Sequence, residues 1–354
     1  MGQIMLNLKA KIIGIKYKPL LCKQLNEIDY FDLDNNLQKY SSYLCKFNDL
    51  NKIAISWWVS AKRTRTYPLA RVYDTLSFGG KKVTIIPVFK DEGIGGDRDY
   101  IQWNTISLMS LLGIYIIISF YDYAHPSKRD SQKITHQRFN TAHTKNQLEN
   151  LIIYKSDALH WNINQAKTIS DVGEKALLAY HEISQKTGIP MHSNQSVNQW
   201  LQNVKDSMSN FITNSRNRAS MAQNSESMTE QPKEKTEGEK AKITITNYLG
   251  GEYFLTVDEA IIEEEKLLLV EAKHTKRSVF PALSDIKEGL VKMSLFSNIS
   301  ELTLNDNNYE PVPVLKLSSE YKNLGKIFTQ KHEYLLTQLY QEGNQNGFEV
   351  RYLS

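Results

Sequence analysis

With 354 residues, 41% of them hydrophobic and 23% charged, the chain is long enough for two domains, each with its own core. Its composition excludes disordered, collagen-like and disulfide-built classes, and two cysteines, Cys22 and Cys45, supply neither a disulfide framework nor a zinc site, so a reducing cytoplasm is expected. The formal charge of +4 divides unevenly: residues 242–354 hold 12 Lys+Arg against 16 Asp+Glu, leaving +8 for residues 1–241, the balance expected of a part that meets a polyanion.

The opening stretch, MGQIMLNLKAKIIGIKYKPLL, scatters lysines among its apolar residues and lacks the uninterrupted apolar core of a signal peptide. KIAISWWVS (52–60), KVTIIPVF (82–89) and GIYIIISFY (113–121) are rich in β-branched residues and are expected as strands, with a helix over 100–112. The uncharged run 106–120 is shorter than the roughly 20 residues a bilayer needs, and Gly113 divides it into the end of a helix and the start of a buried strand. Residues 125–145, polar and basic, are expected as a long loop. ISDVGEKALLAYHEISQKTG (169–188) is a helix capped by Ser170 or Asp171 and closed by Gly188 before Pro190.

Residues 216–240 contain no aromatic residue and no Val, Ile or Leu, so they cannot bury enough surface to offset their ordering entropy. They divide the chain into an α/β part (1–125), a polar and helical region (126–215), a flexible linker or excursion (216–241) and a C-terminal part (242–354). Within the last, strands are expected at 242–248, 253–262, 267–274, 300–304 and 312–318, with helices over 283–296 and 324–341.

An antiparallel hairpin around EEEK (263–266) sets Ile262 opposite Leu267, Ala260 opposite Leu269 and Asp258 opposite Glu271. Opposed side chains have Cβ atoms roughly 4.5–5.5 Å apart, so two carboxylates meet on one face. Lys273, two residues beyond Glu271, projects from that face because strand side chains alternate. Opposed like charges destabilise a sheet unless something binds them, and Mg2+ accepts one or two carboxylates together with phosphate oxygens.

This arrangement resembles the PD-(D/E)XK nuclease superfamily, which includes many Type II restriction endonucleases. The resemblance spans about residues 242–305 and implies a restriction-endonuclease-like core, a mixed sheet flanked by helices, beside a basic N-terminal α/β domain. It makes Asp258 and Glu271 metal-binding carboxylates, Lys273 the catalytic lysine and the carbonyl of Ala272 a further ligand to Mg2+. Val257 stands where the family often has proline, and the family's additional helix glutamate has only Glu174 and Glu182 as candidates. The implied activity is Mg2+-dependent hydrolysis of double-stranded DNA at a specific sequence by a homodimer, with a cognate DNA methyltransferase protecting the host. The alternative is a non-catalytic DNA-binding protein that keeps a nuclease-like fold.

Three further patterns carry weaker expectations. ISWWVSAKRTRTYPLARVY (55–73) joins Trp57 and Trp58 to Lys62, Arg63, Arg65 and Arg71, and of these Trp58 and the four basic residues are the candidate DNA contacts. Lys90 of FKDEGIGGDRDY (89–100), with Asp74 preceding it on the other arm of a hairpin, could form a degenerate second centre, although Pro87 stands where an acid is needed; a structured acidic loop salt-bridged to the basic stretch is the other reading. His125, His136 and His143, with Asn140, invite an HNH-nuclease reading that lacks strong strands around it.

Overall fold

A computed structural model describes residues 5–62, 68–206, 209, 211–213, 217, 238–247, 251–276, 278–320 and 328–353. In chain order the strands are β1 (Leu6–Ile12), β2 (Asn26–Asp29), β3 (Ser42–Lys46), β4 (Lys52–Trp57), β5 (Lys82–Pro87), β6 (Phe89–Asp91), β7 (Arg98–Tyr100), β8 (Ile114–Ser119), β9 (Tyr121–Pro126) and β10 (Ile134–Phe139). They continue with β11 (Glu239–Asn247), β12 (Glu252–Glu263), β13 (Lys266–Thr275), β14 (Ile299–Leu304), β15 (Asn307–Asn308), β16 (Glu310–Ser319) and β17 (Glu349–Leu353). The helices are α1 (Leu33–Asn36), α2 (Pro68–Tyr73), α3 (Trp103–Leu111), α4 (Thr141–Ile153), α5 (Ala158–Lys167), α6 (Ile169–Thr187), α7 (Asn194–Asp206), α8 (Leu283–Phe296) and α9 (Gln330–Asn346).

The chain forms two units: residues 1–23 with 216–354, and residues 24–215. This differs from the expected division in two ways. Residues 24–125 and 126–215 build one unit, and the first 23 residues belong with the C-terminal part. The charge asymmetry goes with them. Residues 1–23 carry five lysines and no acid, so by unit the balance is +1 for the first and +3 for the second, and the N-terminal α/β unit is only slightly basic. Most of the expected linker, residues 218–237, lies outside the described residues.

The first unit is an eight-stranded mixed sheet in the order β15-β14-β1-β11-β12-β13-β16-β17, flanked by α8 and α9. In β1, Leu8, Ala10 and Ile12 alternate with exposed Asn7, Lys9 and Lys11, a two-residue period that buries one face. It pairs parallel with β11 and antiparallel with β14, closing a gap that the C-terminal strands leave open. β11, β12 and β13 form an antiparallel meander. The strand beside β13 is β16, paired in parallel, whereas β14, the strand nearest in sequence after α8, pairs with β1. Helix α8 buries Ile286, Leu290, Val291 and Met293 and packs on β13 and β16, completing a crossover between parallel strands. At Gly289 an added Cβ would lie 2.9 Å from Leu315 Cδ1 and 3.2 Å from Lys273 Cε, so glycine is what lets α8 approach β13 this closely.

The second unit is built on a five-stranded sheet, β2-β3-β4-β5-β8, whose β4, β5 and β8 run parallel and are nearly continuous apolar runs, as buried parallel strands require. The region expected as a long loop is the β9–β10 hairpin followed by α4. Its alternation is masked by polar residues that face outward: in β10 only Ile134 and Phe139 are buried. Helix α6 closes at Gly188, whose φ of 71° is the left-handed conformation expected of a C-terminal cap, while its N-cap is Thr168. No helix among the described residues is long and apolar enough to cross a membrane.

Candidate active site

The site lies where β12 and β13 part. Their hydrogen-bonded register runs from Glu263–Lys266 to Glu259–Val270, with a two-residue turn whose Glu264 has a φ of 55°. It stops one pair short of Asp258 and Glu271, where the β12 ladder with β11 is also irregular, between Val257 and Ala260. Asp258 fills the missing rung: its carboxylate accepts the Ala272 N–H at 2.8 Å. In a strand, a residue's N–H and C=O point to the same edge, so the Ala272 carbonyl opens on the side of Asp258.

Glu271 is 1% exposed and each carboxylate oxygen holds an ammonium: Oε1 is 2.7 Å from Lys273 Nζ and Oε2 is 2.6 Å from Lys292 Nζ. Lys292 also reaches the Thr256 carbonyl at 3.4 Å. Burial pushes the Glu271 carboxyl upward, but Lys273 and Lys292 outweigh it and hold it below its ordinary value. Burial likewise lowers Lys273, and the neighbouring charges of Glu271 and Asp258 more than reverse it, leaving the amine above its usual range. Asp258 goes the other way: desolvation first, then the charge of Glu271, push its carboxyl up to about 6 against the pull of Lys292, the Ala272 N–H and Lys273.

The structure therefore brings Asp258, Glu271, Lys273 and Ala272 together. It adds two residues absent from the sequence reading, Lys292 on Glu271 and Glu288, whose charge acts on Lys273. Glu288, Gly289 and Lys292 stand at i, i+1 and i+4, on one face of α8. A glycine between charged residues inside an amphipathic helix was the available signal. Glu259 points to the opposite face, where Lys316 neutralises it at 2.7 Å. Glu174 and Glu182, the candidates for a helix glutamate, are on α6 of the other unit, with Glu182 bound to Lys186.

The residues fit a divalent cation. Two carboxylates and a backbone carbonyl are hard oxygen donors, and even with two ammoniums on Glu271 the raised Asp258 carboxyl reports a place where one more positive charge is favoured. Among the described residues no group of three or more His, Cys, Asp or Glu side chains could hold a metal ion.

The candidate DNA contacts fare differently. Trp58 is fully buried and cannot stack on a base. Arg71 is turned inward: its guanidinium lies 4.1 Å over the Trp57 ring, it donates to the Trp57 carbonyl at 3.0 Å, and burial lowers its pKa. Lys62 is half-exposed but bound to Asp99 at 2.7 Å. Arg63 and Arg65 lie outside the described residues.

No second centre forms around Asp74 and Lys90. Asp74 follows α2 and is buried, while Lys90 binds Glu92 at 2.9 Å. The acidic loop is the β6–β7 hairpin, and its acids are used internally: Asp91 binds Arg98 and His192, and Asp99 binds Lys62 of the basic stretch and the Ser60 hydroxyl. The three histidines do not converge either. His143 Nε2 donates to the Ile118 carbonyl from inside α4, and burial lowers its pKa, whereas His125 and His136 face each other across β9 and β10 with ring centres 6.2 Å apart.

No protein-family model matches the chain, and no curated protein or solved structure matches it significantly.

Proposed function

We propose that the first unit is a PD-(D/E)XK-like nuclease core that hydrolyses phosphodiester bonds of double-stranded DNA with Mg2+. The observation that carries this is the pair of desolvated carboxylates, Asp258 and Glu271, at the parting of two strands with Lys273 on the same face. The antiparallel meander and the helix α8 packed behind it support the reading, although the expected last strand of that core, β14, pairs with β1 and β16 stands beside β13 in its place. Asp258, Glu271 and the Ala272 carbonyl would hold the ion, which when bound would supply Lewis acidity at the scissile phosphate. The chain does the rest. Ala272 N–H orients Asp258, Lys292 fixes the plane of the Glu271 carboxylate, and Lys273 presents an ammonium to the attacking water or to the phosphate's developing charge. A Type II restriction enzyme, acting as a homodimer beside a cognate methyltransferase, is the form of this activity that the resemblance implies.

One observation favours a second reading. Both Glu271 oxygens already carry an ammonium, so Glu271 is charge-compensated by protein alone. A non-catalytic DNA-binding protein would show a gel shift with steep salt dependence and leave supercoiled plasmid intact when Mg2+ is added. The deciding experiment is a digest of long unmethylated duplex DNA by the purified protein, with and without Mg2+, beside Lys273→Ala and Glu271→Ala. Discrete fragments that need the metal and both residues support the nuclease; cleavage by both variants at the wild-type rate would falsify the site assignment.

A further inference from the structure

The second unit contains a cavity of about 790 Å³ walled by the β9–β10 hairpin, Gln38, the end of β4 and β6, within the size range of small-molecule sites. Its charged lining is Lys90, Lys133, Arg138 and Glu92, with His125 and His136 alongside. The single carboxylate is taken by Lys90, Lys133 approaches Asp130 only to 3.7 Å, and Arg138 lies over the Tyr123 ring at 5.2 Å with no ion pair among the described residues. The lining therefore keeps a positive excess and repels cations.

The backbone shows that this wall is built. Against β9, which advances two residues from Tyr123 to His125, β10 advances three from Thr135 to Arg138, so it carries a bulge. His136 sits in that bulge with a φ of 53°, a left-handed conformation that a side chain other than glycine's adopts at a cost. Next to it Gln137 is clamped at both ends: its amide donates to the Asp91 carbonyl at 2.6 Å and its oxygen accepts from Tyr180 at 2.8 Å. Bulges of this kind re-aim side chains beside sites, and the clamp fixes the strain where His136 and Arg138 line the cavity.

We propose that this cavity binds a phosphate ester of nucleotide size, with Arg138 and Lys133 on the phosphate and the apolar wall at Trp57 and Val59 against the ring or sugar. The proposal is independent of the nuclease reading. Two sources share this chemistry, a nucleotide unit of DNA and a free mononucleotide. The test uses the full chain with EDTA throughout, so that cleavage is silent, and measures anisotropy of a short fluorescein-labelled duplex and calorimetric titration with dAMP. Arg138→Ala with Lys133→Ala is compared with a control double variant, Lys167→Ala with Lys175→Ala, two exposed lysines outside the lining. For a DNA source the cavity variant binds duplex at least about tenfold more weakly, its salt slope falls by about two, and dAMP competes with the duplex. For a free nucleotide only dAMP binding is lost. His136→Gly, which relieves the backbone, should melt no lower than wild type yet bind more weakly. Equal binding by wild type and cavity variant, equal loss in the control, or no binding of either probe overturns the proposal. Cleavage with Mg2+ by a cavity variant that binds normally would overturn this site and leave the nuclease core standing.

Discussion

Asp258→Asn should make the metal-free protein more stable at neutral pH while removing the proposed nuclease activity. The carboxyl of Asp258 is pushed from an ordinary 3.8 up to about 6 in the folded chain by burial and by Glu271. A raised carboxyl pKa means that the folded state holds the proton more tightly than the unfolded state. Stability is therefore greatest below the unfolded value and falls as pH rises from about 4 to about 6, after which it is flat. A shift of about two units corresponds to at most about 3 kcal/mol at 1.36 kcal/mol per unit. Asparagine cannot ionise, and its amide oxygen can still accept the Ala272 N–H, so the variant escapes that loss. Urea denaturation of both proteins in EDTA at several pH values between 4 and 7 measures the difference, in which every titrating group not coupled to Asp258 cancels. The gap should open with rising pH in favour of the variant. Adding Mg2+ should then narrow it by stabilising only the wild type. A variant less stable than wild type at pH 7, or a gap that does not change with pH, refutes the account of Asp258 as a desolvated, unrelieved carboxylate.

Removing Lys292 as Lys292→Met leaves Glu271 buried with one ammonium in place of two, and should cost about 1–3 kcal/mol at pH 7, less than breaking a whole buried pair because Lys273 remains; Lys292→Arg should recover most of it in the same denaturation assay. Gly289→Ala forces a Cβ to within 2.9 Å of Leu315 Cδ1 and toward the Lys273 stem, so a loss of about 1–3 kcal/mol is expected, and an unchanged urea midpoint would show that α8 is not held against β13 as described. Residues 238–354 expressed alone lack β1 and expose the edges of β11 and β14, so the fragment should give no cooperative melt and a poorly dispersed amide NMR spectrum, whereas a chain carrying residues 1–23 and 216–354 through a short linker should fold.

Local signals in the sequence carried the hairpin and its chemistry. The apolar alternation of residues 253–274 fixed which residues oppose one another, and since side chains in a strand alternate strictly, the meeting of Asp258 with Glu271 and Lys273 followed without tertiary information. The helices over 169–187 and 283–296 were legible from their period, the first also from its closing Gly188, for the same reason. What depended on contacts between distant residues was not legible. β1 is a short alternating strand that pairs with β11 some 235 positions later, and nothing within it reveals the partner; from composition alone it belonged with the unit that follows it. Likewise Trp58 and Arg71 look like surface contacts in a basic stretch, and only burial shows them serving the core. Sequence by itself thus determined the residues of the carboxylate–lysine face, because strand periodicity is local. Tertiary structure alone decided the unit boundaries, the second ammonium on Glu271 and the cavity beside His136, because helix docking, sheet order and a strained bulge depend on which distant surfaces pack together.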